Sequence, residues 1–350
     1  MTFRDAFETV RDTVSVLRSM NPVDRPDYIV CAYHGGFERD PETGHMQGID
    51  TGENEGYRML TEIEGLDVLI AGHQHRVCKG KCNGTVYTQS GSGGRYLSVI
   101  DIDTLSRKIT PRLIPVTEEA DERVLRVARK EEEACQNWLN ESIGRTEMDL
   151  KVHDESDARL HKAQIITYLN QAQMRMSGAQ LSASALFRGA KGFSGTITMR
   201  DVVSTYPFAN TLVTKLVTGK ILRAYLEHAA AYWAIGKDGE ICVAKEYLQP
   251  VPEHYNYDMV DGVDYTIKVT NPKGRRITRL VRNGEAVKDD ETFIMALSNY
   301  RATGGGGYDM IVNAPTLSDL QLDVAGLIAE DILTHPHIVF EPCNNIEIIK

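Results

Sequence analysis

Cysteine is sparse and scattered in this chain. The six residues stand at 31, 78, 82, 135, 242 and 343, and only Cys78 and Cys82 are close together. They do not read as a disulfide framework. No apolar run approaches the roughly 20 residues that a membrane-spanning helix needs. There is no long basic stretch, and the net charge is -10. That balance argues against a nucleic-acid polymer or an anionic membrane as the main partner. A small anionic substrate remains compatible, because local arginines or metal ions can offset the overall charge. Residues 1–20 mix charged and apolar side chains at helical spacing and lack the continuous apolar core of a signal peptide. No internal repeat or low-complexity segment interrupts the chain. What is present is ordinary globular composition, 42% hydrophobic and 25% charged over 350 residues, with room for two cores.

The hydrophobic pattern sets out an order of elements. Residues 3–20 predict an amphipathic helix with Phe7, Val10, Val14 and Leu17 on one face. Two buried strands are expected at 28–33 and 66–71, separated by a helix near 54–64. Short strands follow between 85 and 115, with Gly91, Gly93 and Gly94 in a turn. Residues 117–143 contain no proline or glycine and carry a helical stripe of Val124, Val127, Ala128, Cys135, Trp138 and Leu139. They read as a helix joining two domains or as a surface helix of one. The second half predicts a helix over 159–176, then a small-residue loop, a strand at 212–217 and a helix at 220–233. Strands are expected near 263–269, 277–281 and 292–298, and a last helix over 318–333. The fold class is thus α/β followed by α+β.

Two histidine segments stand out. His34-Gly35-Gly36 follows the first strand, and Gly72-His73-Gln74-His75 follows the second. Ligands of open α/β sheets bind beyond the carboxyl ends of strands, and imidazole is the commonest ligand for zinc-like metals. His73 and His75 can share one face of an extended segment and bind one metal or two neighbouring ones. His73, His75, Cys78 and Cys82 could instead form a structural zinc site, although the spacing departs from common finger patterns. The other histidines, 45, 153, 161, 228, 254, 335 and 337, read as solvated or hydrogen-bonded side chains. The run Gly304–Gly307 lacks the lysine and spacing of a P-loop. A turn that admits close backbone approach suits it better.

Gly52-Glu53-Asn54-Glu55 with Tyr57, and Gly65 through Arg76, resemble the later half of a calcineurin-like metallophosphoesterase domain. Ser177–Ser182, Gly195–Thr198, Tyr206–Leu212, Thr218–Lys220, Tyr255–Asp258 and Asn299-Tyr300-Arg301 running into Gly304–Tyr308 resemble the C-terminal domain of 5'-nucleotidases. The likeness is greatest to the bacterial branch that also hydrolyses 2',3'-cyclic nucleotides. The resemblance implies three parts: the C-terminal half of a metallophosphoesterase sandwich over 1–116, a linking helix over 117–145, and a nucleotide-binding C-terminal domain over 146–350. It implies metal-dependent hydrolysis of nucleotide phosphoesters with two divalent ions, zinc, manganese or similar, held in part by His34, His73 and His75. It implies a nucleobase clamped between Phe208 and Tyr300, with Asn210 and Arg188 as polar contacts. Some relatives hold the ribose hydroxyls with an aspartate where Gly306 stands. The family's Asp-x-His, Gly-Asp and Gly-Asn-His segments have no counterpart before His34, so no catalytic residue is assigned. A secretion leader, common in this family, would also fall in that part. The expectation is therefore an enzyme incomplete in this chain, with a separate chain carrying the missing half-domain as one way to complete it. The alternative is a catalytically silent nucleoside- or nucleotide-binding module.

Overall fold

The computed structural model describes residues 4–46, 50, 52–249 and 251–350. The chain divides into two compact units. One holds Met1–Asp121 with Leu248–Pro252, the other Glu122–Tyr247 with Glu253–Lys350.

The first unit opens with helix α1 (Ala6–Ser19), capped by Asp5, whose side chain accepts from the Glu8 amide. Strand β1 (Val30–Tyr33), helix α2 (Gly56–Glu62) and strand β2 (Val68–Ala71) follow. Next come β3 (Val77–Cys82), β4 (Thr85–Ser90) and the hairpin β5 (Tyr96–Asp103)–β6 (Lys108–Pro115). The main sheet has the order β1-β2-β4-β3, parallel except for β3. Phe7 and Val14 of α1, Met59 and Leu60 of α2, Leu69 of β2 and Tyr87 of β4 form its core. Arg18 fastens the end of α1 to the entry of β2. Its Nε and Nη2 donate to Gly65 O at 2.9 and 2.7 Å, and Nη2 also pairs with Asp67.

Two expectations change here. β1 is not a buried strand. It lies at one edge of the sheet, and its side chains alternate between exposed and half-buried. Cys78 and Cys82 stand on a strand that the sequence reading missed, paired with Gln89 and Thr85 of β4. Both thiols are half-buried against the core, and burial raises their pKa. Buried neutral thiols are poor metal ligands. The alternation over Val77–Cys82 was hidden because two lysines follow Val77 along the outward row and a glycine interrupts the inward one.

The second unit begins with α3 (Glu122–Leu139), none of whose residues is buried. It continues through β7 (Ser142–Lys151), α4 (Glu155–Leu160), α5 (Gln164–Ser177), β8 (Leu181–Ala185), β9 (Gly192–Thr198), α6 (Met199–Thr205), β10 (Thr211–Thr218) and α7 (Gly219–Ala230). Then come the short β11 (Trp233–Ile235) and β12 (Ile241–Val243), β13 (Asp258–Asp261), β14 (Asp264–Lys268), β15 (Ile277–Arg282), β16 (Glu285–Ala286) and β17 (Thr292–Ser298). The unit ends with α8 (Asn299–Ala302), β18 (Thr316–Asp323), α9 (Val324–Thr334), β19 (His337–Ile338) and β20 (Ile346–Ile349). A five-stranded mixed sheet, β13-β8-β17-β10-β18, forms its centre.

The predicted helix over 159–176 is two helices. Lys162 breaks it with φ at 52°, because its side chain turns inward, where Nζ meets Asp261 Oδ1 at 2.5 Å and Asn345 Oδ1 at 2.6 Å. An unpaired buried carboxylate would cost several kcal/mol, roughly 3–5, which outweighs the loss of one helical turn. The expected small-residue loop is β8, a fully buried strand next to the centre of the sheet. Its serines and alanines let α5 pack closely over it. The first half of the helix expected at 318–333 is β18, and Asp323 caps α9 by accepting from Gly326 N at 2.7 Å.

Candidate functional site

In the first unit β1 and β2 are parallel, with Tyr33 opposite Ala71. The segments leaving them therefore emerge at the same end. Gly72 N donates to Gly35 O at 3.0 Å and joins the two turns. The Gln74 side chain locks them further, with Oε1 accepting from Phe37 N at 2.9 Å and Nε2 donating to Phe37 O at 3.0 Å. A Cβ on Gly36 would come within 2.1 Å of that amide, so a larger residue there would have to displace the lock on Phe37. The result brings the His34 and His73 rings together edge to face, centroids 5.6 Å apart. His73 Nε2 lies 3.6 Å from Glu53 Oε2. His73 and His75 both hold left-handed backbone, with φ of 64° and 57°. For a residue other than glycine this costs on the order of 1–2 kcal/mol each. Such strain is found where the position of a side chain serves a function.

His75 does not join the pair: among the described residues it makes no ring contact with His34 or His73. No group of three or more His, Cys, Asp or Glu side chains among the described residues is placed to hold a metal ion. Two imidazoles with one carboxylate beside them do not fit a two-metal centre. Two neighbouring divalent cations repel strongly and need a bridging anion to offset that repulsion.

The second unit gathers its predicted residues by topology. β8 and β17 are parallel neighbours, while β13 and β10 run antiparallel to them. Ala185, at the end of β8, faces Asp258 at the start of β13. Ser298, at the end of β17, faces Leu212 near the start of β10. Four connections therefore meet at one end of the sheet. They are the exit of β8 with Arg188, the entry of β10 with Phe208 and Asn210, the entry of β13 with Tyr255, and the exit of β17 with Tyr300.

Each connection is fastened. Phe208 is 49% exposed, which an ordinary core phenylalanine would not be, and its ring leans on Phe187 at 4.8 Å. Phe187 is held in turn by Tyr206 at 5.0 Å. Asn210 Nδ2 lies 3.5 Å from the Tyr206 hydroxyl. Asn299 links two loops, its Oδ1 accepting from Tyr300 N at 3.0 Å and from Thr211 N at 3.2 Å. The exposed Arg188 follows Phe187 in a loop pinned from α4. Arg159 donates to Leu186 O at 3.1 Å, and Glu155 accepts from Gly189 N at 2.8 Å.

Arg301 is the residue that sequence reasoning passed over. It is almost fully buried and forks onto Asp258, with Nε to Oδ2 at 2.8 Å and Nη2 to Oδ1 at 3.1 Å. Nη1 donates to Gly305 O at 2.8 Å and to Asn256 Oδ1 at 3.1 Å, and Nη2 also reaches Tyr255 O. The Tyr225 hydroxyl donates to the same carboxylate. One guanidinium thus ties the glycine loop to the Tyr255 segment. Tyr300 lies against that loop, and a Cβ on Gly305 would sit 2.5 Å from its ring. Gly306 has φ of 72°, and a Cβ there would meet Asn256 Oδ1 at 2.1 Å and Arg301 Nη1 at 2.5 Å. The space a ribose-binding aspartate would need is taken by this pair.

Comparison with known proteins agrees with this architecture. The model of the 5'-nucleotidase C-terminal domain matches residues 142–313. A 5'-nucleotidase structure from Staphylococcus aureus, solved with alpha-ketoglutarate, is 32% identical with a TM-score of 0.88, covering 100% of this chain and 68% of that one. The chain belongs to the 5'-nucleotidase family. The 2',3'-cyclic-nucleotide 2'-phosphodiesterase/3'-nucleotidase of Salmonella typhimurium is 26% identical over 370 residues, 87% of this chain and 55% of that protein. The trifunctional nucleotide phosphoesterase YfkN of Bacillus subtilis is 24% identical over 388 residues, 91% of this chain and 25% of its own length. The chain thus spans about half, or less, of the length of these curated relatives.

Proposed function

We propose that this member of the 5'-nucleotidase family binds nucleotides at the loop end of its five-stranded sheet and serves hydrolysis of their phosphoesters. The observation that carries the reading is the convergence of Arg188, Phe208, Asn210 and Tyr300 from three separate connections. Phe208 and Tyr300 offer ring faces to a base, and every nucleobase presents a π-face, so this contact tolerates purines and pyrimidines alike. Asn210 and Arg188 supply donors at the rim. With Gly306 in place of a carboxylate, nothing at that point repels a ribose whose 2'- and 3'-oxygens carry phosphate. The substrate class favoured is therefore 2',3'-cyclic or 3'-nucleotides.

His34 and His73, which the fold pairs, are the part of the chain offered to the divalent metals of the reaction, while His75, named with them by the resemblance, does not join that pair among the described residues. The donor set is short of what two cations require, so further ligands come from additional polypeptide, carried on a separate chain or segment. A second reading, nucleoside binding without hydrolysis, is favoured by that same shortage.

Calorimetry with adenosine, on the wild type and on Phe208→Ala and Tyr300→Ala, tests the binding step. Heat in the wild type and its loss in both variants is expected. No heat in any of the three refutes it. Assay of the purified chain with manganese or zinc and 2',3'-cyclic AMP tests the metal half. Full turnover by the chain alone would refute the shortage of ligands.

A further inference from the structure

The end of the sheet that carries Arg188 also carries a histidine that nothing in the local sequence singles out. His254 stands in the turn His254–Asn256 directly before β13. Arg188 stands in the loop directly after β8, and these two strands are antiparallel neighbours. His254 is half-buried, and its Nδ1 lies 2.6 Å from the hydroxyl of Tyr232. Tyr232 is fully buried, and burial pushes its phenol up to about 12. The phenol therefore keeps its proton at neutral pH, and since Nδ1 is the one acceptor within reach of this buried hydroxyl among the described residues, it donates there. A hydrogen bond accepted at one ring nitrogen places the proton on the other. The imidazole thus presents an N–H at Nε2.

The charged groups facing His254 are Arg159 and Glu155 from α4 and Arg188 from the loop after β8. Burial, Arg159 and Arg188 disfavour its protonation, and Glu155 opposes them. Glu155 is itself occupied, accepting from Arg159 Nη2 at 2.7 Å and from Gly189 N at 2.8 Å. Arg188 forms no ion pair among the described residues. A cationic donor and an N–H donor therefore come from two connections at the same end of the sheet, close enough for Arg188 to act on the His254 charge, and Glu155 is already engaged by Arg159 and Gly189.

We propose that His254 and Arg188 form a two-donor seat for an anionic oxygen of the bound nucleotide, with Tyr232 as the positioning residue that keeps Nε2 protonated. The inference rests on the nucleotide reading above and adds to it a recognition element that needs no metal. The two donors make charge-assisted hydrogen bonds, stronger than those between neutral groups.

The test compares 2',3'-cyclic AMP with adenosine by calorimetry on the full chain without added metal. The cyclic phosphodiester holds one negative charge across the range used, so any titration belongs to the protein. The wild type is expected to bind the cyclic nucleotide about tenfold or more tighter than adenosine, the worth of one such bond. In His254→Ala the ratio falls toward one. His254→Gln, which keeps an N–H donor, retains part of it, and Tyr232→Phe lowers it by less than His254→Ala. Between pH 7.5 and 5.5 the wild-type ratio rises, because a bound anion favours imidazolium, and in His254→Gln it stays level. A ratio near one in the wild type, or one unchanged in His254→Ala, overturns the proposal. If the wild type binds neither ligand, the nucleotide reading fails and takes this seat with it.

Discussion

Replacing Arg301 by methionine leaves Asp258 buried with only the Tyr225 hydroxyl and without its counter-charge. The carbonyls of Tyr255 and Gly305 lose their donor in the same step. Removing one partner of a buried ion pair costs about 3–5 kcal/mol, because the remaining charge stays desolvated. For a unit of roughly 150–250 residues, each kcal/mol moves the melting temperature by about 2–4 °C, so a fall of about 6–20 °C is expected. Thermal unfolding followed by far-ultraviolet circular dichroism measures the fall, and urea unfolding measures the free-energy loss. The decisive comparison is a cycle with Asp258→Leu. The double variant removes both charges and should be more stable than Arg301→Met alone, since an apolar pair avoids the desolvation cost. A single variant that loses less than about 1 kcal/mol, or a strictly additive double, would show that the pair does not govern this part of the unit.

Three other outcomes are expected. Gly306→Asp should weaken adenosine binding and lower the melting temperature, because its Cβ would have to displace the Asn256–Arg301 pair and its φ suits glycine; tighter adenosine binding by this variant would contradict that account. Gly305→Ala should weaken base binding measurably while the urea midpoint shifts little, since the methyl meets the Tyr300 ring on a half-buried loop; calorimetry beside denaturation separates the two effects. Stability should fall with acid in two steps. Burial depresses the pKa of His228 and His254, so their contribution is complete above about pH 6.5 and is lost as pH falls through the depressed values. Burial opposes ionisation of Asp331, yet hydrogen bonds from Arg175 and Tyr168 hold its pKa below the usual range, so its contribution disappears only below about pH 4. His228→Gln should shrink the upper step alone, as read from melting temperature against pH.

Much of this was legible in the residues. The helical stripe of Phe7 and Val14, the β1 and β2 runs with their histidine turns, and the α7 and β17 segments follow from period and composition. What escaped did so for physical reasons. β8 is built of serine and alanine because a helix packs closely over it, and local propensity reads such a run as loop. Lys162 turns inward to a carboxylate 99 positions away, which no window of neighbours can reveal. Arg301 appeared only as part of a motif with no role of its own, because its partners come from residues 255, 256, 258 and 305. His254 was silent for the same reason, since Tyr232 and Arg188 are brought to it only by the sheet. The pairing of His34 with His73 was legible from two similar turns after two strands. That His75 makes no ring contact with them among the described residues was not, and the left-handed backbone at positions 73 and 75 leaves no mark in a hydrophobic period.

The mixed direction of the strands has one more consequence. Arg188, Phe208, His254 and Tyr300 become neighbours only after β8, β10, β13 and β17 have joined, so the unfolded chain offers a nucleoside no comparable surface. A ligand held there therefore stabilises the native state by mass action, about 2.7 kcal/mol at a hundredfold excess over its dissociation constant. Thermal-shift screening of nucleosides and nucleotides can accordingly rank the natural ligand without any assay of turnover.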